Sequence, residues 1–132
     1  MILDRDATLI DIVRDEESGA LSVAFHPSQI RFLAGVIEGL TALSNAGYVL
    51  CIATNQPAPA KGQFPAAAVA RTHRALLDEL SRHGIAIAAL EVCLHHPEGG
   101  PGGDPALIER HTAVSEPVAR AMAQGALAAA AA

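Results

Sequence analysis

The 132-residue sequence has no tryptophan, one tyrosine, three phenylalanines and two cysteines. So few cysteines do not form the disulfide framework of a small secreted protein, and we expect a reducing, cytoplasmic location. Nine lysine and arginine residues against fourteen acidic residues give a net charge of −5. This balance argues against a general nucleic-acid binder, because such proteins need a basic face. No apolar run approaches the roughly 20 residues of a membrane span, so no span is expected.

Three apolar segments alternate with two segments of helical pattern. Residues 1–3, 48–53 and 85–94 are predicted to be strands, and the middle one is typical of a parallel strand covered on both faces. Residues 33–43 and 69–80 repeat apolar side chains at helical spacing. This order predicts an α/β fold in which a partial, Rossmann-like parallel sheet carries flanking helices. Ligands are expected at the carboxyl ends of its strands.

The other segments are predicted to be connections. Residues 10–25 alternate around a Glu-Ser-Gly turn, which indicates a hairpin or flap. Prolines and glycines in residues 55–64 and 95–105 predict loops. On the second helix, His73 is expected at the surface or its boundary. Residues 109–132 are alanine-rich with a sparse apolar stripe, which predicts a marginal helix or tail without chemistry.

Two acidic residues, Asp4 and Asp6, flank Arg5 directly after the first predicted strand. If strand alternation continues, both carboxylates point one way and Arg5 points to the opposite face. Carboxylates this close repel each other unless a cation or a shared proton relieves them. One could attack phosphorus while the other transfers a proton, with a divalent cation offsetting the charge. A solvated acidic turn is the alternative interpretation.

Polar residues also follow the other two predicted strands. Thr54, Asn55 and Gln56 could hold phosphate oxygens through a hydroxyl and backbone N–H groups, although such residues also end strands in ordinary turns. Cys93 and His95 could supply half of a zinc site, which normally takes four protein ligands. The carboxyl ends of parallel strands meet at one edge, so the sequence predicts that these residues converge on one site.

Three stretches, DRDATL, TNQPAPAKGQF and CLHHPEGGPGGDPAL, occur in that order and together resemble one family. They are similar to the haloacid-dehalogenase-like phosphatases, in the branch of heptose 1,7-bisphosphate 7-phosphatase and histidinol-phosphate phosphatase. The resemblance covers about residues 1–108. It implies that Asp4 is the nucleophile and a magnesium ligand. It also implies that Asp6 is the general acid and base and gives its backbone carbonyl to the metal.

The same resemblance implies roles for the later motifs. Thr54 and Asn55 would hold the transferring phosphoryl group, with Gln56 and Lys61 also binding phosphate or substrate. The hairpin would be a small flap that closes on the substrate, and no large cap domain is expected. Cys93 and His95 would be half of a zinc site that orders the substrate loop.

The sequence also departs from the family. Ala7 stands where the first motif has glycine, and a positive φ there would strain it by about 1 kcal/mol or more. The family's second cysteine pair, a following Arg-Lys-Pro and a later Gly-Asp are missing. We therefore expect residues 1–108 to be an incomplete phosphatase domain and residues 109–132 a diverged tail. The first strand would then be an exposed edge that invites self-association, unless a partner chain or the tail covers it.

The leading functional hypothesis is magnesium-dependent hydrolysis of a sugar phosphate through an aspartyl-phosphate on Asp4. The resemblance implies the 7-phosphate of heptose 1,7-bisphosphate as substrate, with histidinol phosphate as the nearest alternative. The missing lysine and late aspartate would weaken activity, so a non-catalytic remnant that binds phosphate or a partner is a second hypothesis. A small structural zinc module is a third.

Overall fold

The computed structural model describes residues 1–108, which contain five strands and three α-helices. The predicted tail, residues 109–132, lies outside the described residues. The strands are β1 (Ile2–Leu3), β2 (Val13–Arg14), β3 (Leu21–Ser22), β4 (Leu50–Asn55) and β5 (Ile87–Cys93). The helices are α1 (Val36–Asn45), α2 (Ala58–Lys61) and α3 (Ala66–Arg82).

A parallel sheet of order β1-β4-β5 forms the centre of the fold. Leu3 of β1 pairs with Ile52, and Thr54 at the far end of β4 pairs with Val92. The central strand is β4, and its residues are mostly buried because helices and neighbouring strands cover it. The predicted α/β sheet with flanking helices is confirmed.

The core is aliphatic, as its lack of aromatic residues predicts. The helices α1 and α3 each place an apolar stripe on the sheet, and the stripes meet around β4. Fully buried members of this cluster from the sheet and the two longer helices are Leu40, Leu50, Ile52, Leu76 and Leu80.

The region predicted as a loop at 55–64 contains the short helix α2, so that prediction was wrong in part. Its prolines do not prevent helix formation, because Pro57 precedes the helix and Pro59 lies in its first turn. The N–H groups of a first turn have no intrahelical partner, so proline loses nothing there. The helix ends at Gly62, whose φ of 72° is left-handed.

The second predicted loop, which follows β5, packs closely on α2. A Cβ atom added to Gly103 would collide with the carbonyl oxygen of Ala60, and one on Gly62 would collide with that of Pro101. The Asp104 N–H donates to the Pro59 carbonyl at 3.2 Å. The glycines of this loop therefore permit a close approach that keeps it over the carboxyl end of the sheet.

The predicted flap is an antiparallel hairpin of β2 and β3, in which Val13 pairs with Ser22. Its strands are only two residues long, and Asp15 organises the turn. The Asp15 carboxylate accepts hydrogen bonds from the Ser18 N–H and hydroxyl, both at 2.7 Å, and these bonds lower the pKa of Asp15. Within residues 1–108 this hairpin is the only insertion after β1 that could cover a site, and it is small.

Strand β1 lies at one edge of the described three-stranded sheet, with β4 on its inner side. Self-association through this edge stays a prediction. None of the helices within residues 1–108 combines the length and apolar character that a bilayer crossing requires.

Ala7 adopts a φ of 58°, and it is the one non-glycine residue in the described part of the chain with positive φ. A Cβ atom in this conformation crowds the backbone, so we expect Ala7→Gly to raise the free energy of unfolding by about 1 kcal/mol. Urea unfolding measures the change. The matched control is Ala46→Gly at the end of α1, where φ is −77° and glycine should give no gain. Equal effects at both positions would contradict strain at Ala7.

Candidate active site

Arg5 is fully buried at the carboxyl end of β1 and connects three segments of the chain. Its Nε and Nη2 atoms lie 2.9 and 2.8 Å from Asp6 Oδ1. Its Nη2 also donates to the carbonyl of Ala24, just after the hairpin, at 3.2 Å, and its Nη1 lies 3.0 Å from His73 Nε2 on α3. One guanidinium therefore ties the acidic turn to the hairpin and to a helix.

Asp6 is joined to the end of β4 through Gln56. The Gln56 Nε2 atom lies 2.6 Å from Asp6 Oδ2 and 3.0 Å from Thr54 Oγ1. Thr54 and Gln56 are both buried. The Gln56 N–H donates to the carbonyl of Cys93 at 2.7 Å, which fixes this turn to β5. The structure thus brings the acidic turn and the TNQ turn together, as the sequence predicts.

Asp4 is exposed and lies in the same turn. Its Oδ1 accepts the Arg5 N–H at 2.8 Å, and its Oδ2 has no hydrogen-bond partner within residues 1–108. Mg²⁺ is typically held by one or two carboxylates together with water and phosphate oxygens. Asp4 fits such an ion. The described residues contain no cluster of three or more acidic, histidine or cysteine side chains that could hold a metal by themselves.

A cleft of about 440 Å³ lies between the hairpin and the TNQ turn. Asn55 and Pro57 line one side, and Ser22 and Phe25 line the other. Phe25 stacks on Phe64 with a ring-centroid distance of 4.7 Å, which closes one end of the cleft. Asn55 is exposed, so its amide can reach a ligand in this space.

The other candidate residues are more dispersed. Cys93 Sγ lies 3.8 Å from His95 Nδ1, so this pair has the proximity that half of a zinc site needs. The described residues add no third ligand of that kind. Lys61 ends α2, and its side chain makes no hydrogen bond or ion pair within the described part of the chain.

Two residues of the network contradict the sequence expectations. Arg5 does not point away from Asp6 but contacts its carboxylate, because β1 ends at Leu3 and strand alternation stops before Arg5. His73 is not a surface residue but is buried against Arg5. The sequence does contain a signal for this burial. Residues 69, 73, 76 and 80 are at helical spacing, which places position 73 on the buried stripe of α3.

His73 is held neutral by its surroundings. Burial, followed by the charge of Arg5, lowers the pKa of His73 to about 4, and Asp6 acts in the opposite direction. A neutral imidazole can accept the Arg5 N–H at Nε2, and a protonated one cannot. The network therefore requires the uncharged ring.

Comparisons with solved structures identify the fold. Over 93% of its length the chain superimposes on the B. bronchiseptica D,D-heptose 1,7-bisphosphate phosphatase, solved with magnesium and phosphate, with a TM-score of 0.64 and 24% identity. A Mesorhizobium loti protein assigned to the HAD-like phosphatases matches 98% of the chain, with a TM-score of 0.69 and 21% identity. The matches cover 63% and 56% of those chains. The fold is that of the haloacid-dehalogenase-like phosphatases.

Sequence relatives give the narrower resemblance. A D-glycero-beta-D-manno-heptose-1,7-bisphosphate 7-phosphatase of Rhodopseudomonas palustris is 38% identical over 71 residues, which are 54% of this chain and 39% of the relative. The histidine biosynthesis bifunctional protein HisB of Legionella pneumophila is 31% identical over 98 residues, which are 74% of this chain and 26% of the relative. No protein-family model matches the sequence. The predicted resemblance to this branch of phosphatases is confirmed, and the chain spans well under half the length of these two relatives.

The neutral state of His73 makes stability depend on pH. Between the ordinary value of 6.5 and about 4, the unfolded chain binds a proton at His73 that the folded chain does not. Stability is therefore lost as the pH falls through this window, by about 3 kcal/mol at its lower end.

The measurement is urea unfolding between pH 7 and 4.5. His73→Gln can still accept from Arg5 but cannot titrate, so its stability should fall less steeply than that of the wild type. His83→Gln is the control, because the His83 side chain is 43% exposed. If the wild type and His73→Gln lose stability equally, His73 is not the residue responsible.

Proposed function

We propose that the chain is a magnesium-dependent phosphatase that hydrolyses a sugar phosphate monoester through an aspartyl-phosphate. The observation that carries this proposal is the shared nitrogen of Gln56, which lies within 3.0 Å of both Asp6 and Thr54. A proton-transfer group and a hydroxyl that can bind phosphate are thereby held together at the carboxyl end of a parallel sheet. Ligands bind there in open α/β folds.

Asp4 is the nucleophile in this proposal. Its exposed Oδ2 attacks phosphorus and forms the aspartyl-phosphate, while the bond from phosphorus to the sugar oxygen breaks. The departing sugar oxygen takes the proton that Asp6 carries. A bound Mg²⁺ would supply charge compensation for the Asp4 carboxylate and the phosphoryl group. Asp4 is the residue of this chain that would hold it, together with the backbone carbonyl of Asp6.

Asp6 is the general acid and then the general base. After giving its proton to the sugar oxygen, its carboxylate takes a proton from the water that attacks the aspartyl-phosphate, which regenerates Asp4 and releases phosphate. Arg5 donates to one oxygen of the Asp6 carboxylate and Gln56 donates to the other, so the carboxylate cannot rotate freely. Thr54 and Asn55 bind phosphoryl oxygens, and Lys61 adds positive charge near the same edge.

Similarity to the 7-phosphatases supports the 7-phosphate of D-glycero-D-manno-heptose 1,7-bisphosphate as the substrate. The longer match to HisB favours histidinol phosphate as the second candidate. The flap hairpin and the cleft of about 440 Å³ suit a small phosphorylated molecule. A cytoplasmic location, and a partial zinc site at Cys93 and His95 that orders the adjoining loop, are further parts of the proposal.

The test is magnesium-dependent phosphate release from heptose 1,7-bisphosphate and from histidinol phosphate. Asp4→Asn keeps the size of the side chain but removes the nucleophile, so the rate should fall by at least about a thousandfold. Asp78→Asn is the control, because Asp78 is an exposed carboxylate on the outer face of α3. Equal rates for the wild type and Asp4→Asn would remove the catalytic claim. No release from either substrate would favour a non-catalytic phosphate-binding remnant.

A further inference from the structure

Gln56 connects the two halves of the candidate site. Its side chain is only 1% exposed, so it offers almost no surface to a ligand. Its single Nε2 atom contacts Asp6 Oδ2 at 2.6 Å and Thr54 Oγ1 at 3.0 Å. Any influence of Gln56 on a bound phosphate must therefore pass through Asp6 and Thr54.

The contact with Asp6 decides which way the Gln56 amide faces. In its ionised form, paired with the Arg5 guanidinium, Asp6 only accepts hydrogen bonds, so an amide oxygen 2.6 Å from Asp6 Oδ2 would place two acceptors against each other. The NH₂ group must face Asp6, since it has two hydrogens to donate. One of these hydrogens points to Asp6, and the other is directed to Thr54 Oγ1.

The direction of the Thr54 hydroxyl follows from this arrangement. A threonine hydroxyl has one hydrogen, and an oxygen that accepts from Gln56 must direct that hydrogen elsewhere. Phosphoryl oxygens are acceptors, so a hydroxyl binds them only as a donor. A fixed direction spares the site the cost of reorienting the hydroxyl when the ligand binds.

We infer that Gln56 is a positioning residue that holds the Thr54 hydroxyl as a donor to the phosphoryl group and keeps the Asp6 carboxylate beside it. The identity of the ligand rests on the proposed function. Arg5 fixes the other oxygen of Asp6, so the carboxylate has one partner on each side. Asp6, Gln56 and Thr54 therefore form one hydrogen-bonded unit with a single orientation.

A double-mutant cycle tests this inference on the full chain. The affinity for inorganic phosphate with magnesium is measured by calorimetry in the wild type, Gln56→Met, Thr54→Val and the double variant. Thr54→Val removes the hydroxyl that donates to phosphate, and Gln56→Met leaves that hydroxyl without the bond that directs it. Each single change should therefore weaken binding about tenfold. The double variant should also be about tenfold weaker, since the two residues act as a unit.

Two variants serve as references in the same assay. Thr54→Ser keeps the hydroxyl, so it should bind phosphate more tightly than Thr54→Val. Thr41→Val makes the same change as Thr54→Val on α1, where the hydroxyl donates to the Ile37 carbonyl instead, and should leave phosphate binding unchanged. If the double variant binds phosphate about a hundredfold more weakly, the two residues act independently. Either this result or an unchanged affinity in Gln56→Met would overturn the inference.

A spectroscopic measurement keeps the inference testable if Gln56→Met does not fold. The two side-chain amide hydrogens of Gln56 are followed by NMR in the wild type and in Thr54→Val. The hydrogen that faces Thr54 should shift in the variant while the one that faces Asp6 stays in place, and a shift of neither would contradict the inference.

The outcomes also separate this inference from the proposed function. If the wild type binds phosphate with the expected coupling but releases none from the two substrates, the phosphatase proposal fails and the positioning role stands. If the wild type binds no phosphate, the positioning role is overturned.

Discussion

The fold and the candidate site both depend on the buried guanidinium of Arg5. A buried charge is costly unless it is paired and hydrogen-bonded, and Arg5 meets this condition with three partners. Asp6 neutralises it, the Ala24 carbonyl accepts from it, and the neutral ring of His73 accepts from it as well. Ala24 and His73 lie 19 and 68 positions from Arg5 in the sequence. Their hydrogen bonds to the guanidinium therefore also fix the positions of the hairpin and α3 around the acidic turn.

The same network explains how a small domain could organise a phosphate site. Asp6 is shared between Arg5 and Gln56, and Gln56 passes the constraint to Thr54 at the end of β4. The acidic turn and the TNQ turn are thus joined by direct hydrogen bonds between side chains. Asp4 lies outside this network with one carboxylate oxygen unpaired within the described residues, which leaves it available to a ligand.

Local sequence patterns predicted much of this architecture. The apolar run before Thr54 and the apolar end before Cys93 predicted adjacent strands, and their register places both residues at one edge. The patterns could not predict the role of Arg5, because strand alternation has no meaning once β1 has ended. They also missed its contact with His73, since two residues 68 positions apart leave no local signal. The patterns did not predict α2, because proline indicates a loop unless it stands just before a helix or in its first turn, as Pro57 and Pro59 do.

The most direct test of this account is the free energy of unfolding of Arg5→Met, measured by urea denaturation. The control is Arg82→Met, because Arg82 pairs with Glu79 but is 70% exposed. Removing Arg5 leaves the Asp6 carboxylate and the Ala24 carbonyl without their partner, so the account predicts a loss of about 3 kcal/mol. The surface variant should lose less than about 1 kcal/mol. Similar small losses in both variants would contradict the central role of Arg5.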